Sequence, residues 1–210
     1  MSDDGRQRRP EWPAWLSEWL KTSRDEAYGR RIFAQQLPLP VAEMPGLWQG
    51  WSLRSGHPLD GVLENLGWYG KLFHSNGRVD PLLFRAGGQR LVAVDPARIP
   101  LKLALRFACF GRATFAHNVF SYMQQFLLAR GPTAELKELS YNGVKSAAMT
   151  YDRQPIIDYF RRINHSTTIG LMEIRGYREP YFFALSRQMH PQDGGFVLVE
   201  NGRAQSTGRT

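Results

Sequence analysis

The stretch Glu-Leu-Lys-Glu-Leu-Ser-Tyr-Asn-Gly-Val-Lys-Ser-Ala-Ala-Met-Thr-Tyr, residues 135–151, is typical of a β-hairpin. Two strand-like runs, 135–141 and 144–151, meet at Asn142-Gly143, and Asn-Gly in this position favours a two-residue hairpin turn because both residues tolerate positive φ. Segments 167–174 and 181–187 are also strand-like, with an extended or turn segment at 155–163 before them. Short strands with a turn about every ten residues predict an antiparallel meander that closes into a barrel or a sandwich.

The region before this meander is also β-like. Residues 46–56 predict a strand with Leu47, Gln49, Trp51 and Leu53 on one face and Trp48 on the other. A short amphipathic helix is predicted over 59–66, and two further strands are predicted at 81–84 and 90–94. Residues 100–110 fit either a strand or a helix, and 116–130 favour a helix.

The first 40 residues predict a helical arm. Trp15, Leu16, Trp19 and Leu20 recur at helical spacing, and a second helix is predicted over 24–36. Prolines in the run 37–40 end it. We expect the arm to pack against the rest of the chain; an arm on a partner subunit, a lid and a membrane-surface anchor are the alternatives. Residues 191–210 are predicted to be a flexible tail.

Composition narrows the class of protein. The chain has 210 residues, 42% of them hydrophobic, which suits one domain with a substantial core. One cysteine, Cys109, excludes an internal disulfide, and neither a signal-like segment nor a run of about 18 apolar residues is present. We therefore expect a cytoplasmic protein.

The net charge of +8 raises the question of nucleic acid. The excess lies in 85–130, where seven Lys or Arg residues face one acidic residue, Asp95. No RNA-binding aromatic motif, zinc-ligand spacing or helix-turn-helix pattern accompanies it, so nucleic acid is not the expected partner.

Several motifs resemble known families of unassigned activity. Gly46-Leu47-Trp48-Gln49-Gly50 resembles the motif of the GXWXG family, and the similarity continues through Gly67-Trp68-Tyr69-Gly70-Lys71. Residues 141–187, which include Tyr141-Asn142-Gly143 and Pro180-Tyr181-Phe182-Phe183, are similar to the companion domain of unknown function 4334. The resemblance covers about 45–187 and implies architecture more than chemistry.

The Gly-X-Trp triplet is also similar to the first strand of calycins, which include lipocalins, fatty-acid-binding proteins and nitrobindin-like haem proteins. This implies a mainly β (α+β) fold: a calycin/lipocalin-like antiparallel β-barrel over 41–190, with a GXWXG part at about 41–95, a second part at about 130–190, and short capping helices. The resemblance implies that Gly46 and Trp48 form the barrel floor with Arg187 packed on the indole; Arg175 and Arg178 are alternatives to Arg187.

A barrel of this size is either filled by side chains or holds one small ligand. We predict a small, largely apolar ligand, lipid-like or another hydrophobic metabolite, and a homodimer is possible. The predicted ligand-binding residues are Trp51, Trp68, Tyr69, Met149, Tyr151, Met172, Tyr181 and Phe183. A solid core is the competing interpretation.

Two other functions remain open. The first is an isomerase or hydro-lyase in the same cavity, with Asp152 or Asp158 as the base; Asp60 either caps backbone amides or pairs with Lys71. The second is haem binding of the nitrobindin type, with His190 or His117 as axial ligand. No His pair or His/Cys cluster has metal-site spacing, so no metal or other cofactor is expected.

Overall fold

A computed structural model describes residues 12–87, 90–99, 126–188, 197–200 and 203–204. These contain three α-helices, α1 (Ala14–Trp19), α2 (Glu26–Gln35) and α3 (Val62–Asn65), and short 3₁₀ turns at Val41–Glu43 and Pro96–Arg98. The strands are β1 (Leu37–Pro38), β2 (Gly46–Leu53), β3 (Trp68–Phe73), β4 (Arg78–Arg85), β5 (Arg90–Ala93), β6 (Ala134–Tyr141), β7 (Val144–Tyr151), β8 (Ile156–Arg162), β9 (Thr167–Ile174), β10 (Tyr181–Arg187), β11 (Val197–Glu200) and β12 (Arg203–Ala204).

Eight of these strands form a closed ring of antiparallel pairs. The order is β4-β3-β2-β10-β9-β8-β7-β6, and β6 returns to β4 through the pair Val79↔Ala134. The last strand of the meander, β10, meets the first strand, β2, where Arg187 lies opposite Trp48. The mainly antiparallel β fold predicted from the sequence is therefore confirmed, and the ring has an interior and an exterior face.

The hairpin that joins β6 to β7 has the predicted geometry. Tyr141 pairs with Val144, so only Asn142 and Gly143 form the turn, with φ angles of 50° and 79°. Positive φ at both positions is the two-residue turn whose twist matches that of the flanking strands. The predicted strands 167–174 and 181–187 match β9 and β10 in both bounds.

Alternation along the strands divides the large side chains between the two faces. The interior cluster contains rings such as Trp48, Trp68 and Phe183, whereas Phe182 faces outward. The arm covers that outer face, because Leu16, Trp19 and Phe33 pack with Phe182 in a separate buried cluster. Helix α2 approaches so closely that a Cβ on Gly29 would lie 2.5 Å from the Phe182 ring.

One region differs from the sequence prediction, and another lies outside the described residues. Within the predicted tail, β11 runs parallel to β5, with Val197 opposite Arg90. The run 197–199 is apolar and contains two β-branched valines, which gives this segment a strand propensity that extends the sheet. The ambiguous segment 100–110 lies entirely outside the described residues, and so does most of the predicted helix 116–130. No helix among the described residues is long and apolar enough to cross a membrane.

Candidate functional site

One end of the ring is closed by Trp48 and Arg187. The indole is buried and its Nε1 donates to the carbonyl of Met44 at 2.8 Å. The Arg187 guanidinium carbon lies 4.5 Å from the centroid of this indole, and the same group donates to the carbonyls of Pro45, at 2.6 Å, and Glu43. This is a cation–π contact supported by charge-assisted hydrogen bonds, at the position that the calycin resemblance implies.

The other end is closed by segments that connect strands. Gln154, in the turn between β7 and β8, donates from Nε2 to the carbonyls of Pro96 and Ile99 at 2.8 and 3.3 Å. Leu59 and Leu63, from the connection between β2 and β3, lie at the same cavity. The ring is thus closed at this end by loop contacts rather than by a buried indole.

A cavity of about 100 Å³ lies between these two ends. Its walls are mostly apolar or aromatic. The lining side chains are Leu59, Leu63, Trp68, Lys71, Leu82, Pro96, Ile99, Tyr151, Gln154, Ile156, Asp158, Met172, Tyr181 and Phe183. An engineered apolar cavity of roughly 150 Å³ binds benzene, so this space has the scale of a short chain or small ring.

Five of the eight residues predicted to contact a ligand line this cavity. They are Trp68, Tyr151, Met172, Tyr181 and Phe183. Met149 is buried in the same interior cluster but does not line the cavity. Trp51 is on the outer face, with its ring 4.8 Å from that of Trp12, and Tyr69 is buried in a different cluster with Leu83 and Leu91.

Strand β3 is irregular, and this places Trp68, rather than Tyr69, on the same face of the strand as Lys71. The register between β3 and β4 shifts twice, between Trp68 and Gly70 and between Gly70 and Leu72. Such bulges interrupt the two-residue alternation of side chains. Trp68 and Lys71 consequently both face the cavity although strict alternation would place them on opposite faces.

A buried ion pair stands in the cavity wall. Lys71 Nζ lies 2.9 Å from Asp158 Oδ2, and their side chains are 4% and 0% exposed. The ammonium group also donates to the carbonyl of Pro81 at 3.3 Å and to the Tyr151 hydroxyl at 3.4 Å. The Tyr151 hydroxyl in turn donates to Asp158 Oδ2 at 3.5 Å. Lys71, Asp158 and Tyr151 therefore form one polar group in an otherwise apolar cavity.

The low-polarity surroundings shift the protonation equilibria of this group. Burial raises the pKa of the Asp158 carboxyl, although the Lys71 ammonium beside it acts to lower it. Burial, and then the negative charge of Asp158, raise the pKa of Tyr151 well above its usual value, which keeps the hydroxyl protonated as a donor. The aromatic rings of Phe183 and Trp68 lie 5.1 and 5.7 Å from Lys71 Nζ and stabilise its positive charge.

A buried ion pair is weak evidence for stability, because desolvating two charges offsets most of their attraction. Well-packed apolar residues of similar volume serve a core equally well. A charged pair beside open space, in which the pKa of Asp158 is raised, is therefore the strongest candidate for function among the described residues.

Two polar atoms in the cavity wall lack hydrogen-bond partners among the described residues: Asp158 Oδ1 and Trp68 Nε1. By contrast, the Tyr181 hydroxyl, which belongs to the same wall, is hydrogen-bonded to the Ser52 hydroxyl. The unpartnered atoms leave one acceptor and one donor free for a molecule in the cavity.

Comparison with known proteins agrees with this arrangement of strands. The family model described as GXWXG protein matches residues 31–88, and that described as a domain of unknown function, DUF4334, matches residues 132–187. The chain thus contains a GXWXG segment followed by a DUF4334 segment. A crystal structure of a protein from Thermomonospora curvata is similar, with 28% identity, 83% of this chain and 96% of that chain covered, and a TM-score of 0.60. No curated protein matches the chain.

The geometry gives the GXWXG motif a physical explanation. Gly46 has a φ of 130°, which L side chains rarely adopt, and it begins the strand beside the Arg187 guanidinium. A Cβ on Gly50 would lie 2.2 Å from the Trp68 indole, so only glycine leaves room for this ring against β2. In this chain, the first glycine and Trp48 close one end of the ring, and the second glycine positions a wall of the cavity.

The sequence did not reveal that Lys71 pairs with Asp158. Of the carboxylates considered with them, Asp60 accepts hydrogen bonds from the backbone amides of Ser55 and Gly56, and Asp152 pairs with Arg78 at 2.5 Å. One signal was present: Asp158 lies between two inward-facing apolar residues of β8 at a spacing of two. An acidic residue at such a position indicates a buried partner or a site.

The residues do not fit a haem group in this cavity. Sites that bury drug-sized ligands occupy roughly 300–1,000 Å³, several times the volume available here, and haem is larger than most such ligands. The candidate axial ligands His117 and His190, like Cys109, lie outside the described residues. Across the parts of the chain that the structure describes, no three His, Cys, Asp or Glu side chains form a metal-binding group.

Proposed function

We propose that this protein binds a small, largely apolar molecule inside a calycin-like β-barrel. The polar group of that molecule would be directed at Asp158, within the buried group that Asp158 forms with Lys71 and Tyr151. The observation that carries the proposal is a charged pair, almost fully buried, in the wall of an otherwise apolar cavity of about 100 Å³. Apolar walls supply affinity through surface removed from water, and a few polar groups fix orientation.

The volume restricts the ligand. A chain of four or five carbon atoms matches the scale of the space, whereas a long fatty acid requires the loop-closed end to open. Gln154 is the candidate for such an opening, since its side chain joins two segments through two hydrogen bonds. The proposed entrance is therefore the end of the ring opposite Trp48.

Methyl NMR tests binding directly. Protein labelled with ¹³C-methyl methionine is titrated with n-pentane, and the resonance assigned to Met172 by a Met172→Leu variant is expected to shift in a saturable manner. Met149 is an internal reference, because it is buried in the same cluster without lining the cavity. Native mass spectrometry of the purified protein then identifies any co-purifying molecule.

A cavity-filling variant sharpens this test. Leu63→Phe adds a ring at the loop-closed end and is expected to weaken pentane binding at least tenfold. Val144→Phe adds the same ring at an exposed position, 41% accessible, and is expected to leave binding unchanged. Equal binding by the two variants, or no saturable Met172 shift in the parent protein, would contradict the proposal.

The position of Asp158 also favours a second function, proton abstraction from a small carbonyl compound. A carboxylate whose pKa is raised by burial is a suitable general base, and the unpartnered Trp68 Nε1 is a donor able to stabilise an enolate oxygen. The proton would pass from the α-carbon to Asp158 and return to the same carbon. Accelerated deuterium uptake into the α-positions of butanone in D₂O, abolished by Asp158→Asn, is the expected result; uptake at the uncatalysed rate would exclude this reaction for butanone.

A further inference from the structure

The polar atoms of the cavity indicate the kind of molecule that it accepts. Asp158 is 0% exposed, yet its Oδ1 has no hydrogen-bond partner among the described residues, and Trp68, 3% exposed, has an equally unpartnered Nε1. Buried polar groups are almost always paired, because an unpaired one loses its hydration without compensation. Both residues line the cavity, so a bound molecule can supply what the described residues do not.

The Lys71 ammonium group, by contrast, has no donor left. Its three N–H bonds have three acceptors within reach: Asp158 Oδ2 at 2.9 Å, the Pro81 carbonyl at 3.3 Å and the Tyr151 hydroxyl at 3.4 Å. Its charge is balanced by Asp158. A ligand carboxylate would find neither a free positive charge nor a free ammonium N–H, and it would meet the unpartnered carboxylate oxygen.

A cationic ligand is disfavoured for a related reason. The Lys71–Asp158 pair is neutral as a whole, so an added ammonium group would leave one uncompensated positive charge between mostly apolar walls. The aromatic faces that would stabilise such a cation already lie around Lys71, at 5.1 Å for Phe183 and 5.7 Å for Trp68. An uncharged donor avoids both costs.

We infer that the ligand is an uncharged molecule with a hydroxyl group, which donates to Asp158 Oδ1 and accepts from Trp68 Nε1. This inference rests on the proposed function, since it specifies the ligand of the same cavity. The class comprises short-chain alcohols and the hydroxyl-bearing ends of larger apolar molecules, and it excludes free carboxylic acids in their ionised form.

Two isomeric ligands isolate the hydroxyl group. 1-Butanol and methyl propyl ether have the same atoms, but only the alcohol donates a hydrogen bond. With the Met172 methyl resonance as readout, 1-butanol is expected to bind about 10- to 100-fold more tightly than the ether, the range given by one hydrogen bond to a charged acceptor. Butyrate at pH 7.5 is expected to bind more weakly than both.

The outcomes separate the two proposals. If n-pentane and the ether bind as tightly as 1-butanol, the hydroxyl inference is wrong and the apolar binding function stands. If butyrate binds most tightly, the charge assignment of the cavity is wrong. If none of the four molecules produces a saturable shift, both proposals fail together.

A charge-changing variant gives a second, independent readout. In Asp158→Asn the Lys71 ammonium loses its counter-ion, and the preference is expected to reverse, with butyrate binding at least tenfold more tightly than 1-butanol. Asp152→Asn is the matched control, because Asp152 is partly exposed and pairs with Arg78 outside this polar group. An unchanged ligand order in a folded Asp158→Asn protein would overturn the inference; if that variant does not fold, the comparison of alcohol, ether and butyrate still decides.

Discussion

Replacing Lys71 by methionine removes one member of a buried charge pair and leaves the other uncompensated. At an effective dielectric constant of about 20, two unit charges separated by the observed 2.9 Å attract each other by roughly 6 kcal/mol. Part of the loss is recovered through the Tyr151 hydroxyl, which still donates to Asp158. We therefore expect Lys71→Met to lower the free energy of unfolding by about 3–5 kcal/mol, the usual cost of breaking such a pair.

Removing both charges has a different expected effect. The double variant Lys71→Met/Asp158→Leu places apolar side chains in an apolar wall, and its free energy of unfolding is expected within about 1.5 kcal/mol of the parent protein. Urea unfolding followed by circular dichroism gives the four corners of this double-mutant cycle. Lys145→Met is the matched control: its side chain is 77% exposed, and an effect within about 0.5 kcal/mol is expected.

The stability lost in Lys71→Met is also expected to depend on pH. Burial already raises the pKa of Asp158 in the folded protein, and loss of the ammonium group raises it further. The unfolded chain then loses its proton near pH 3.9, before the folded one does, so the variant becomes less stable as the pH rises above this value. Its deficit should accordingly shrink between pH 7.5 and pH 5. A Lys71→Met cost below about 1 kcal/mol, or additive single effects in the cycle, would refute the existence of a buried, coupled pair.

Three further predictions concern packing and titration. Gly170→Ala would place a Cβ 2.1 Å from the Phe183 ring and is expected to lower the free energy of unfolding by about 1–3 kcal/mol. The double variant Gly170→Ala/Phe183→Leu should recover most of this stability in urea unfolding. Burial lowers the pKa of His57 to about 4, below the 6.5 of an unfolded chain, so roughly 3 kcal/mol of stability should disappear as the pH falls from 6.5 through 4. In thermal unfolding, the stability of His57→Gln should not fall in this way over the same pH range. An equal fall in the variant would show that other groups are responsible. Arg187→Met removes the cation–π contact with Trp48 and two hydrogen bonds, and it is expected to lower the free energy of unfolding by about 2–4 kcal/mol. The NMR signal of the Trp48 indole N–H should move in this variant, and an unchanged signal would contradict the assigned contact.

Features encoded over a few residues were predictable from the sequence. The turn at Asn142-Gly143 follows from the conformations that these two residues tolerate, and the bounds of β9 and β10 follow from alternation between flanking turns. The helical spacing of the arm likewise predicted α1 and α2. Each of these signals is local, so one sequence contains all of it.

The candidate site was predictable only in part, because it depends on how distant strands meet. Tyr181 and Phe183 were assigned to one face by alternation and do line the cavity. The irregular register of β3, which places Trp68 rather than Tyr69 on the same face as Lys71, has no distinct sequence signal. The pairing of Lys71 with Asp158 joins β3 to β8 across the ring. Nothing near either residue in the sequence specifies the other, so this contact required the closed structure.

Closure of the ring has a consequence for how the two family segments relate to each other. The GXWXG segment contributes β1 to β4, and the DUF4334 segment contributes β6 to β10. Within the ring they join at two seams, β2 with β10 and β4 with β6, and outside it β1 pairs with β8. Each segment alone would leave the backbone hydrogen-bonding groups of its edge strands unpaired. Each is therefore half of one cooperative unit rather than a transferable module. During synthesis the ring cannot close until Arg187, which lies opposite Trp48 at the seam of β10 with β2, has left the ribosome.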